Sequence, residues 1–180
     1  YMQAAGHPNF EVTAFLMNQV TGPPKFPDGF VKELGFDIPV GLGVNPEATP
    51  KCTEKQLSEV VGAGPPLETK CTTEVPGSLV GIDYFTTLAP GPVPPAGTEV
   101  TSPVFVYNVQ APPGVPSQAG FNATGEPTYL VGSLSPVDQH VIFTVSNLKS
   151  PLAGGAPIIG SRLVFKGKTG DGYLTMPSEC

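Results

Sequence analysis

Residues 104–121 read VFVYNVQAPPGVPSQAGF. The run opens by alternating Val104, Val106 and Asn108 against Phe105, Tyr107 and Val109, the period of a strand with two different faces. Its β-branched and aromatic residues suit an extended, packed backbone. Pro112, Pro113 and Gly114 then stop it, because proline lacks a ladder donor and fixes its own φ. The expected consequence is a chain that leaves one sheet here and crosses to another. Gly120 lets the backbone bend, and Phe121 turns back to the core.

The same pattern recurs along the chain. In NFEVTAFL, Phe10, Val12, Ala14 and Leu16 share one face of a half-buried strand. In FVKELGFDI, Phe30, Leu34, Phe36 and Ile38 share a face that Lys32 interrupts, with Glu33 and Asp37 opposite. LVGIDYFTTLA, PTYLVGSL, HVIFTVSNL and PIIGSRLVFKG read as further strands, and SPVDQ joins two of them as a hairpin. One short helix is expected in CTEKQLSEVV, where Thr53 and Gln56 form a capping box and glycines 62 and 64 end it. The last residues, KTGDGYLTMPSEC, read as turns.

The reading is therefore all-β: an antiparallel β-sandwich of about seven or eight strands with one short helix. Residues 1–180 form a single domain. There are 22 glycines and 23 prolines, a quarter of the chain, and they fall between apolar stretches as turns do. Charged residues are only 13%, and the formal net charge is -6. That balance lacks the clustered cations needed for nucleic acid or an anionic membrane surface. No apolar run reaches the ~20 residues of a membrane helix. The chain begins at Tyr1 without a charged, then apolar, leader, which suggests a mature or excised fragment of a longer extracellular protein.

Cys52 and Cys71 flank the expected helix. In an acidic, loop-rich chain of secreted character, a disulfide between them is the preferred reading; two buried free thiols are the alternative. Metal binding is weaker, since there is no C-x-x-C pair and there are two histidines. Cys180 is left over, unpaired or paired outside the chain.

Several stretches carry a resemblance. AGHPNFEVTAFLMN, VKELGFDIPVGLGVNPEATPKCTEKQL, SPVFVYNVQAPPGVPSQAGFNATGEPTYLVGSL, HVIFTVSNLKSPLAGGAPIIGSRLVFKG and YLTMPSEC occur in that order. Together they resemble a β-domain family of large actinobacterial secreted and cell-surface proteins. That family shows an AG-(S/A)-H-P-D opening, a GNP…PKC segment, a VPVYNLxPPPG…FGF segment and an FLTNPTSC ending. The resemblance implies a bacterial extracellular location, a modular parent and a disulfide at the positions matched by Cys52 and Cys71. It brings no catalytic residues. The chain departs from the pattern after Cys71, where CTTEVPGSLVG lacks the adjacent proline, and at Ser117, Gln118 and Ala119, where the family carries charge. A branch with a different partner, such as a filament or sheath component, would account for that.

Candidate chemistry is sparse. His7 and His140 lack a recognisable nucleophile partner, and are read as a strand-entrance residue and a solvated residue. Glu33, Asp37 and Asp83 are the carboxylates a sugar hydrolase would draw on, but Glu33 and Asp37 fall on an outward face. Asp28 and Asp171 sit beside glycines as turn residues, short of a calcium loop. Lys32 and Lys166 are candidates for a lysine–asparagine crosslink. Asn122 opens an N-x-T sequon and marks a polar spot, and Tyr84, Phe85, Tyr107 and Tyr129 could stack on a sugar. The absence of tryptophan weighs against that last idea. The expected function is a non-catalytic structural or interaction module, adhesive or self-assembling, with no cofactor. Its partners would be other copies or neighbouring domains, with cell-wall glycan as the alternative ligand.

Overall fold

The strand-forming segments pair edge to edge into one antiparallel sheet. The computed structural model describes residues 8–20, 26–62, 64, 66–88, 98–123, 125–146, 148, 157–166 and 172–176. In chain order the elements are β1 (Phe10–Leu16), β2 (Leu34–Asp37), β3 (Gly43–Val44), α1 (Glu54–Ser58) and α2 (Lys70–Glu74). They continue with β4 (Leu79–Leu88), β5 (Glu99–Val109), β6 (Ser117–Asn122), β7 (Pro127–Leu134), β8 (Val141–Val145), β9 (Ile158–Lys166) and β10 (Leu174–Thr175). Eight strands share a sheet in the order β1-β9-β4-β5-β6-β7-β8-β2, and β10 pairs with β3 separately. The all-β antiparallel expectation holds. Beyond it lie a second helix, α2, and a short β10 in the tail that reads as turns.

The layers of the sandwich come from this single sheet curling over. Phe143 on β8 stacks on Phe165 on β9 with ring centroids 5.8 Å apart. Those strands are five places apart in the sheet order, which in a flat sheet would separate them by about 24 Å at ~4.8 Å per strand. The inner face thus packs against itself. Val104, Val106, Ala119, Phe121, Leu130, Leu163 and Phe165 fill the core, an area term that dominates the stability of such a domain.

The Pro-Pro-Gly corner does not send the chain to another sheet. β5 and β6 are direct neighbours, with Val106 opposite Phe121 and Val109 opposite Gln118. Val115 N–H donates to the Pro112 carbonyl, and Gly114 sits at φ 87°, where an L side chain is strained. The prolines end the ladder, and the left-handed glycine reverses the chain within the same sheet.

The first strand is inverted relative to its apolar face. Phe10, Val12 and Leu16 are 60%, 39% and 85% exposed. Register explains it: Phe10, Val12 and Ala14 lie opposite Lys166, Val164 and Arg162 on β9, and directly opposed residues share a face. The core needs Leu163 and Phe165 of β9 inward, so their β1 partners Thr13 and Glu11 turn inward with them. Phe30 is likewise exposed and precedes β2 rather than extending it.

Gly120 is a packing requirement. A Cβ there would lie 2.6 Å from the Leu57 methyl of α1 and 3.2 Å from both Val109 Cγ2 and the Thr128 carbonyl. Gly120→Ala should therefore cost about 1–3 kcal/mol through overpacking, read as a lower urea midpoint with an unchanged slope.

Candidate functional site

Two short helices lie over the outer face of β5 and β6, pinned from several directions. Thr53 caps α1, its hydroxyl accepting from the Gln56 N–H while the Gln56 side chain accepts from the Thr53 N–H. Leu57 is fully buried and occupies the space above Gly120. Cys52 and Cys71 are disulfide-bonded with Cα atoms 5.5 Å apart, and both are buried against Tyr107 and Val109. Cys52 also bridges β5, donating its N–H to the Asn108 carbonyl and accepting from the Gln110 N–H. On the exposed side, Lys70 pairs with Glu59 at 2.6 Å and Glu74 at 3.4 Å; the Gln56 amide donating to Glu74, and then Lys70, hold the Glu74 carboxyl below its usual range, while Glu59 and then Glu74 hold Lys70 above its own.

Two residues suggested as ligand contacts serve this lid instead. Tyr107 is buried, and its hydroxyl lies 2.6 Å from the Thr72 hydroxyl on α2. Asn122 is buried too. Its amide donates to the Leu57 carbonyl, an open acceptor at the end of α1, and its oxygen accepts from the Gly125 N–H. Tyr129 packs against the same cluster. Tyr84 lies elsewhere, in a groove on the outer face of β1, β9 and β4. The four suggested positions do not form one exposed row, because strand alternation and the lid divide them.

That outer groove is lined by Phe10, Val12, Ile82, Tyr84, Val164, Arg162 and Lys166. It is apolar along its length and carries two cations in a chain of net charge -6. Sequence reading missed it because its apolar residues look like core.

The other candidates are dispersed. Glu33 accepts from the Ser146 hydroxyl at 2.9 Å in an exposed position, and Asp37 is exposed. His140 is not simply solvated: its ring is mostly covered and lies between Asp138 and Asp37, and Ser135 and then His140 hold the Asp138 carboxyl below its usual range. Asp28 and Lys32 are exposed, and Lys166 faces the outer groove, so neither lysine lies in the apolar interior that a crosslink to asparagine needs. His7, Asp171 and Cys180 lie outside the described residues. Among the described residues, no cluster of side chains could hold a metal ion, and no helix is long and apolar enough to cross a membrane.

Asp83 is the exception among the carboxylates, and it stands without Glu33 or Asp37. It projects from β4 into the curled interior and is 5% exposed. There it borders a cavity of about 230 Å³ lined by Thr13, Phe15, Phe36, Phe85, Phe121 and Leu163, among others. The cavity lies where end strands β1 and β2 approach without pairing among the described residues. Ser161 donates to Asp83 Oδ1 at 2.7 Å. Burial pushes the carboxyl up to about 6, against hydrogen bonds from Ser161 and the backbone at Tyr84 and Arg162. Glu11, also inward on β1, is raised by burial while accepting from Thr13 at 2.6 Å.

Comparison of the chain with protein-family models, with curated proteins and with solved structures returned no match.

A folded-state Asp83 pKa of about 6 against 3.8 makes the native state favour the proton. Its contribution is fully present below 3.8 and lost as pH rises through 6. At about 1.4 kcal/mol per pKa unit, wild type should lose about 3 kcal/mol relative to D83N between pH 3.5 and pH 7.5, measured by urea unfolding. Equal pH profiles for the two proteins would refute it. Separately, replacing both Cys52 and Cys71 by serine should cost about 3 kcal/mol from loop-closure entropy, measured the same way.

Proposed function

We propose that the chain is a non-catalytic structural or interaction module of an extracellular protein, assembling with other copies or neighbouring domains. The observation that carries this reading is the outward apolar face of β1. Phe10, Val12 and Leu16 are exposed on an end strand whose described ladder partner is β9 alone. Val12, Val164, Ile82 and Phe105 are opposed in register, so the band runs from that edge toward the helical lid. Such an apolar strip is costly to leave in water, and an unpaired strand edge is a ready template for strand addition. A long buried-face sheet and a disulfide-pinned lid suit a rigid building block in an oxidising compartment. The resemblance to actinobacterial secreted and surface β-domains points the same way.

The test is solution size as a function of concentration. Wild type should associate, in sedimentation velocity, as its concentration rises. Val12→Glu with Leu16→Glu, both on the outward face, should remain monomeric while keeping the wild-type urea midpoint to within about 0.5 kcal/mol of stability, as surface changes usually do. Monomeric wild type at every concentration, alone and with flanking domains of its parent, would overturn the reading.

A further inference from the structure

The interior cavity is separate from the assembly face. Protein cores are packed nearly as densely as organic crystals, and voids larger than a water are few. The space of about 230 Å³ beside the buried Asp83 carboxylate is a pocket open toward the surface, roomy enough for a small molecule. Its walls are mostly hydrocarbon and phenyl: Phe15, Phe36, Phe85 and Phe121 among them, with Phe85 and Phe121 in contact at 5.3 Å between centroids. Asp83 is the sole ionisable residue in the lining. Ser161 holds its Oδ1, which orients the carboxyl within the wall.

We propose that this cavity binds a small organic cation: an amine whose ammonium pairs with the Asp83 carboxylate and whose apolar body lies among the phenyl rings. The charge of the ligand follows from the walls. Phenyl faces carry negative potential and attract cations, and a buried lone carboxylate regains through a cation the stabilisation it loses on leaving water. An anion would meet like charge. The chain's net charge of -6 favours the approach of cations over anions in general. Size follows from volume: a 150 Å³ cavity takes benzene, so this one takes about nine non-hydrogen atoms. The seam between β1 and β2 supplies the approach.

2-Phenylethylamine fits that size, with 2-phenylethanol as its neutral isostere and phenylacetate as its anionic counterpart. Titration of the full chain, followed by amide chemical shifts, should show the amine binding at least tenfold more tightly than the alcohol, and phenylacetate not at all. The perturbed amides should be those around the lining, on β1, β2, β4 and β9 and at Phe121, Leu130 and Val145. The amine's affinity should fall about tenfold per pH unit below about pH 6, as the carboxyl that burial has raised takes up its proton. Glu11 is the other acid facing inward from β1; Arg162 and Tyr84 project from the outer face, and the inward residues of β5, Val104 and Val106, do not titrate. E11Q, outside the lining, should keep the pH dependence, and D83N should abolish it while retaining the alcohol's affinity. The charge comparison on the unaltered chain stands even where D83N fails to fold. Equal affinity for amine and alcohol, binding of none of the three, or shifts confined to the outer groove would each overturn the proposal.

Discussion

The structure depends on a sheet that must bury its own inner face. There is no second sheet of comparable size among the described residues to cover it. Curling brings Phe143 onto Phe165, and Phe165 near Tyr173 ahead of β10. That contact dictates which residues of β9 point inward, and through cross-strand register it dictates the faces of β1 and β4 as well. Curling without full closure leaves β1 and β2 as ends that approach without pairing among the described residues. The seam between them is where both the interior cavity and the outward apolar edge arise.

The lid solves a different problem, at the strand next to the sheet's middle. The outer face of β5 carries Phe105, Tyr107 and Val109, too much apolar surface to leave wet. Two helices of five residues each would not persist alone. They are held by a disulfide, by Leu57 over Gly120, by Asn122 on the Leu57 carbonyl and by the Tyr107–Thr72 contact. Asn108, one residue on, turns its amide to Pro46 and Thr49 and so fixes the segment leading into Cys52. A single strand thus anchors the core on one face and the lid on the other.

The two sides of β1 differ in chemistry. Outward, the strand carries an apolar strip, and among the described residues its ladder partner is β9 alone; inward, its Thr13 and Phe15 wall a pocket with a buried acid. Both readings rest on residues whose chemistry is set by position rather than by any local motif.

Local signals in the sequence were sufficient for much of this. Period-2 alternation located β5, apolar runs between turn residues located β4, β7, β8 and β9, and Thr53 with Gln56 announced the start of α1. Those features rest on short-range sterics and hydrogen bonding, which neighbouring residues specify. The Cys52–Cys71 pairing was also within reach, since spacing and composition favoured it. Which face of β1 is buried was not: Phe10, Val12 and Leu16 make the more apolar side, and only pairing with β9 turns that side to solvent. Nor could spacing reveal that Asn122 and Tyr107 are structural, or that Asp83 faces a cavity while Glu33 and Asp37 face water. Those outcomes depend on contacts between residues tens of positions apart, and the free energy that chooses among them comes from burying the whole inner face at once, a quantity no local stretch of chain contains.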